Sequence, residues 1–189
     1  MKSVSISGSL RENVGKKDAK AQRKQDLVPC VVYGGEKQYH ILVETKQFKS
    51  IIYTPETRYA ELTFGDKKMN AIIQASQFHP VTEALIHIDF LEVSDKKPIT
   101  IPIPINIIGT SPGVLRGGKL IKKYRKLRVN GLLKNIPEMI DISISELDID
   151  QSFKVSDVVT SNFEIMENKA NVVVAVVNTR EVVAEEVAK

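Results

Sequence analysis

The run Tyr59-Ala60-Glu61-Leu62-Thr63-Phe64-Gly65-Asp66-Lys67-Lys68-Met69-Asn70-Ala71-Ile72-Ile73-Gln74-Ala75 decides the fold class of this chain. Two β-prone segments, Tyr59 to Phe64 and Lys68 to Ala75, flank Gly65-Asp66, which predicts a hairpin. Further strands extend the pattern on both sides. Ser3 to Leu10 alternates, with Val4 and Ile6 on one side and Ser3, Ser5 and Ser7 on the other. Cys30 to Tyr33 is an apolar strand ending on Gly34-Gly35, Tyr39 to Glu44 is another, and Leu85 to Val93 follows Phe78-His79-Pro80. Between them, Lys46 to Tyr53 reads as a short helix with Phe48, Ile51 and Ile52 inward, broken by Thr54-Pro55-Glu56. Six short strands with small helical insertions point to a closed or nearly closed barrel.

The polar run Ser94-Asp95-Lys96-Lys97-Pro98 is the expected boundary, giving domains 1–94 and 95–180 and a tail 181–189. Ile99 to Ile108 alternates, but Pro102 and Pro104 confine it to an edge or irregular strand. Gly109 to Gly118 is glycine-rich and expected to be a mobile basic loop. Lys119 to Arg128 sets six cations around Leu120, Ile121, Tyr124 and Leu127; helix and strand both fit it. Leu127 to Leu133, Ile140 to Ile144 and Val172 to Val177 read as strands, Ser156 to Val159 as a helical turn, and Arg180 to Lys189 as a frayed helix or disordered tail. The fold expected is mainly β: an N-terminal six-stranded barrel with short helices and a second, mostly β domain.

With 42% hydrophobic and 26% charged residues over 189 positions, the composition is globular and excludes disorder. No apolar run approaches the ~20 residues of a membrane span. The start, Met1-Lys2-Ser3-Val4-Ser5, lacks the apolar core of a secretory signal. A single cysteine, Cys30, excludes an internal disulfide, makes a cytoplasmic site the natural expectation, and reads as a small buried hydrophobe. Charge is polarised along the chain. Residues 1–94 hold 13 Lys/Arg against 11 Asp/Glu (+2), residues 95–128 hold 9 against 1 (+8), and residues 129–189 hold 5 against 11 (−6). Such asymmetry fits a polyanionic partner.

The segment Leu10 to Gly35 carries the clearest chemistry. Lys16, Lys20, Arg23 and Lys24 fall at i, i+4, i+7 and i+8, so a helix there shows one cationic face, with Lys17 beside it. The helix has little to bury beyond Ala19, Ala21 and Leu27. A polar helix is either a solvated connector or a surface for another polar molecule, and phosphates select such a face. His40, His79 and His87 lack partners at metal-ligand spacing beyond Asp89. His87 and Asp89 share one strand face, which suits an acid–base pair or a polar patch that meets nucleic acid. Gly109 to Lys119 lacks nucleotide-fingerprint spacing, and Pro112 removes a backbone donor, so no cofactor is expected.

Val28-Pro29-Cys30-Val31-Val32-Tyr33-Gly34-Gly35 after the basic segment, then Gln77-Phe78-His79-Pro80 and His87-Ile88-Asp89-Phe90, resembles bacterial large-subunit ribosomal protein twenty-five, the 5S-rRNA-binding family that includes general stress protein CTC. Gly113-Val114, Gly117-Gly118, Asn135-Ile136-Pro137-Glu138, Leu147-Asp148-Ile149 and Val155-Ser156-Asp157 resemble the C-terminal domain of its long form, so the likeness spans residues 3–178. The resemblance implies a two-domain, mostly β, non-catalytic protein whose barrel binds the loop E and helix IV region of 5S rRNA in the central protuberance. It implies a monomer within the ribosome among neighbouring large-subunit proteins, with no membrane. By position, Arg11, Lys16, Lys20, Arg23, Tyr33, His87 and Asp89 match family positions at or near the RNA. The cations would meet phosphates, Tyr33 would pack or use its hydroxyl, and His87 with Asp89 would meet the groove edge.

The chain departs from the family where Lys20-Ala21 replaces two arginines and Gln22 replaces a leucine. One phosphate contact is then lost and the helix packs more loosely, with Lys17 or Lys24 as compensation. Two other readings stand beside this one. One is a stress-induced factor that docks proteins through acidic segment 129–189, and the other is a hydrolase using His87 and Asp89.

Overall fold

Alternation along short strands builds the first of two compact units, residues 1–97 and 98–189, each described by itself. The computed structural model describes residues 1–35, 37–95, 97–160 and 162–179. The first unit runs β1 (Lys2–Leu10), α1 (Lys16–Arg23), β2 (Leu27–Tyr33), β3 (Tyr39–Glu44), α2 (Lys49–Ile52), β4 (Arg58–Phe64), β5 (Lys67–Phe78) and β6 (Leu85–Glu92). Its strands close into a barrel in the order β1-β3-β2-β6-β5-β4. Closure comes from β1 running parallel to β4, from Lys2 opposite Arg58 to Gly8 opposite Phe64. With both edges joined, no strand leaves its ladder groups unpaired along a free side.

The inward positions explain the closure. Ile6, Val28, Cys30, Val32, Ile41, Val43, Leu62, Ile88 and Phe90 are buried at every second place along their strands. Ala60 stands opposite Ala71, both fully buried, where the wall is thin. Phe48 and Ile51, carried by a 3-10 turn and α2, enter the same core, and the Phe48 and Phe90 rings stack at 6.3 Å. The predicted hairpin forms with Phe64 opposite Lys67 and Gly65 at φ 55, a conformation that costs glycine least. Two boundaries differ from expectation. β2 begins at Leu27, with Pro29 inside it; pairing to β6 starts only at Cys30, so the missing N–H falls where that ladder has not begun. β5 runs on to Phe78, with register shifts at Ile73/Ala75 and Gln77/Phe78.

The second unit has β7 (Ile99–Ile108), α3 (Pro112–Leu115), β8 (Lys119–Lys122), β9 (Lys126–Gly131), β10 (Ile140–Ser143), β11 (Ser152–Lys154), β12 (Glu164–Ile165) and β13 (Val172–Val177). They form the sheets β10-β7-β9-β12 and β11-β13-β8. Both sheets supply the buried set: Ile101, Ile103, Leu127, Val129 and Ile142 from one, Val173, Val174 and Val176 from the other. The turn expected at 156–159 is a 3-10 turn, Val155–Asp157.

β7 pairs β9 over Ile99–Pro104 and β10 over Ile105–Ile108, so each half has one partner and is open on its other side, in line with the edge or irregular strand expected from its prolines. The prolines are tolerated because Pro102 and Pro104 lie in the half that has only β9 beside it. The glycine-rich loop, expected to be mobile, is packed at Ser111 and Gly113. Ser111 caps α3 and is fully buried, its hydroxyl donating to the Leu147 carbonyl, and a Cβ on Gly113 would come within 2.6 Å of the Asp148–Ile149 backbone. Of the two readings open for the basic run 119–128, the strand holds: it is two strands and a bend. The tail, Arg180 to Lys189, lies outside the described residues.

Candidate nucleic-acid interface

Helix α1 buries no residue completely, so its eight residues cannot be held by an apolar stripe. A helix this short is marginal in water by itself. Polar bonds clamp it at both ends instead. At its start, Arg11 Nε and Nη2 donate to Asp18 Oδ2 at 2.9 and 2.7 Å, and Nη2 also reaches the Gly15 carbonyl at 3.2 Å. That guanidinium side chain is only 9% exposed. The bond from Arg11, reinforced by Gln22, holds the Asp18 carboxyl below its ordinary pKa. At the other end, Arg23 Nε donates to the Ile86 carbonyl of β6 at 3.0 Å. Beyond it Asp26 turns the chain at φ 60, and its carbonyl accepts both the backbone N–H and hydroxyl of Thr45.

Those clamps sort the expected cations. Arg11 is a positioning residue, its guanidinium spent on Asp18 and Gly15. Arg23 ties α1 to β6, with only Nε engaged among the described residues. Lys16, Lys17, Lys20 and Lys24 are exposed and make no ion pair among the described residues. Ala21 is exposed as well, and Gln22, where a leucine was expected, is half-buried and donates to Asp18 Oδ1 at 3.4 Å.

The barrel wall beside α1 carries the remaining residues. Along β6, Ile88 and Phe90 are fully buried while His87 and Asp89 lie between them on the outer side, half-buried. His87 Nδ1 is 2.7 Å from Asp89 Oδ1, but not in line for a hydrogen bond, so this buried nitrogen lacks a hydrogen-bond partner. Register adds neighbours: Val31 of β2 and Ala75 of β5 both stand opposite Asp89, and Gln77 stands opposite His87. Tyr33, half-buried, is one step along, opposite Leu91. The structure therefore brings Arg23, Tyr33, His87 and Asp89 onto the β2–β6 side where α1 lies. Gln77 joins them unforeseen. It is exposed on β5, and only the cross-strand register to His87 reveals it.

The turn after Gln77 is rigid. His79 Nδ1 accepts the N–H groups of Val81 and Thr82, and the His79 backbone pairs with Ala84. Cys30 is buried opposite Ile88 with its thiol pKa pushed strongly up by desolvation, which removes it as a nucleophile. Among the described residues no three His, Cys, Asp or Glu side chains gather as metal ligands, and no helix is long and apolar enough to cross a membrane.

Residues 6–90 match the family model described as the Ribosomal L25p family. A relative from Cytophaga hutchinsonii, named large ribosomal subunit protein bL25, is 42% identical over 188 residues, covering 100% of this chain and 98% of the relative. The chain belongs to the ribosomal L25p family. Residues 98–180 match the model described as ribosomal protein TL5, C-terminal domain. An L25p relative of the same name from Porphyromonas gingivalis is 41% identical, with 95% of each chain covered, and one from Bacteroides fragilis is 35% identical over 95% of this chain and 94% of its own. Their similarity runs through both units, and the mainly β fold with its closed barrel agrees with the L25p resemblance read in the sequence.

Proposed function

We propose that this protein binds 5S rRNA at its loop E and helix IV region, in the central protuberance of the large ribosomal subunit. L25p membership makes the chain a structural protein of the large ribosomal subunit in the cytoplasm and not an enzyme. The finer reading rests on one observation: a helix clamped at both ends, whose Lys16, Lys17 and Lys20, with Lys24 at its C-cap, are exposed and make no ion pair among the described residues, lies beside the outer row of Gln77, His87 and Asp89. The lysines would neutralise phosphates and release counterions. His87, Asp89 and Gln77 would meet base or ribose edges, and Tyr33 would pack alongside. Because the major groove of regular A-form RNA is too narrow for side chains, the wall requires a widened groove, as in an internal loop. In this reading the protein acts as a monomer against neighbouring large-subunit proteins.

The test is binding of the full chain to a 5S rRNA loop E fragment and to a generic hairpin across a salt series. Lys20→Ala/Arg23→Ala should weaken loop E binding and flatten the salt slope. Lys16→Ala/Lys20→Ala should do so without touching the Arg23–Ile86 bond, and each lost phosphate contact should reduce the slope by about one. Equal affinity for both RNAs would overturn the loop E assignment.

A further inference from the structure

The most basic part of the chain, 95–128, lies outside the face just described. Among the described residues, Arg116, Lys122 and Arg128 are engaged inside the second unit. Arg116 Nη1 pairs with Asp148 Oδ2 at 2.6 Å, Lys122 Nζ donates to the Ile105 carbonyl at 2.6 Å, and Arg128 donates through its backbone N–H and Nε to Glu167, each at 3.0 Å. Lys123, Arg125 and Lys126 are exposed and make no ion pair among the described residues. They occupy the bend where β8 of one sheet passes into β9 of the other.

That bend is held on both sides. The N–H groups of Lys123 and Tyr124 donate to the Val173 carbonyl at 2.9 and 3.4 Å, and the Arg125 carbonyl accepts from Ile105 N at 3.1 Å. Tyr124, half-buried, accepts from Asn171 Nδ2 at 3.1 Å and props the bend from beneath. The strands it touches, β7 and β13, contain no Asp or Glu along their whole length, so neither sets a carboxylate beside the three cations. Unbalanced like charges on a fixed backbone repel one another. A polyanion relieves that repulsion, and a fixed backbone reduces the ordering cost of binding it.

We propose that the bend Lys123–Lys126 is a second RNA-phosphate-binding site, carried by the second unit and separate from the α1–β6 face. Lys123, Arg125 and Lys126 contact backbone phosphates, and the site reads no sequence, since it offers charge without base-edge groups. It extends the RNA-binding reading proposed above, yet its test does not depend on loop E.

The experiment measures binding of the full chain to a generic RNA duplex and to the loop E fragment from low to high salt. Lys123→Ala/Arg125→Ala/Lys126→Ala should lose about tenfold or more affinity for the duplex at low salt and flatten the log-affinity against log-salt slope by about three. Its preference for loop E over the duplex should stay as it was, whereas Lys16→Ala/Lys20→Ala should reduce that preference. Lys123→Arg/Lys126→Arg, which keeps the charge, should bind as the parent does. Should the triple variant unfold, Lys123→Gln and Lys126→Gln, exposed single changes, carry the same test through smaller slope changes. A parental slope and affinity in the neutralised variants would overturn the site and leave the bend to an acidic protein. A chain without loop E preference whose duplex binding still depends on the bend would refute the loop E reading alone.

Discussion

Side chains on paired strands have separate duties here. Ile88 on β6 is fully buried against the barrel core, whereas Gln77 on β5, opposite His87 across the ladder, is exposed. Ile88→Ala should cost about 2–5 kcal/mol in urea unfolding, because it removes packed methyl groups and leaves a cavity. Gln77→Ala should stay within about 0.5 kcal/mol of the parent while weakening RNA binding. The Arg11–Asp18 pair makes a different point. The folded carboxyl of Asp18 is held below its ordinary pKa, first by the Arg11 bond and then by Gln22. Its contribution is therefore present above the ordinary carboxylate range and is lost as pH falls through the depressed value. Amide exchange measured down an acid series should show α1 losing protection before the barrel strands, and Asp18→Asn should abolish that early step. Protection in α1 that tracks the strands at every pH would remove the clamp from the account.

At the scale of elements, close backbone approach decides what each segment tolerates. Gly113 lies where a Cβ would meet the Asp148–Ile149 backbone at 2.6 Å, and neither strand ends nor side-chain rotation can relieve that. Gly113→Ala should destabilise the second unit by about 1–3 kcal/mol. Thermal melting of the full chain, compared with Gly15→Ala, whose added Cβ meets nothing within 4 Å, isolates the effect. β1 has a larger role than its eight-step alternation implies, since its parallel pairing to β4 closes the barrel. Removing residues 1–10 should leave β3 and β4 as open edges and yield an aggregating chain by size-exclusion chromatography.

For the whole molecule the governing quantity is the distribution of charge. A net charge of +4 is modest, but exposed lysines cluster on and just after α1, and exposed Lys123, Arg125 and Lys126 cluster on the β8–β9 bend. Together they offer enough contacts that RNA affinity should fall by about a thousandfold between 50 and 200 mM salt, as expected for six or more phosphates. A loss below tenfold would mean that fewer of them touch RNA at once.

Much of this was legible in the sequence because it depends on local periodicity. Alternation located the six barrel strands, i, i+4 spacing put the lysines on one helix face, and the ordered short motifs pointed to the L25p family. A period of two also placed His87 and Asp89 together outside Ile88 and Phe90. What local pattern cannot encode is which distant atom a group meets. Arg11 and Arg23 looked like further phosphate ligands, and only the fold shows one spent on Asp18 and the other reaching Ile86, 63 residues away. Gln77 gained its place through register, β7 found its two partners at staggered positions along its length, and the 109–118 loop was fastened by Leu147 and Asp148. Sequence alone determined the faces. Long-range hydrogen bonds and ladder register, which depend on contacts far apart in the chain, decided which charges are spent inside the fold and which stay exposed.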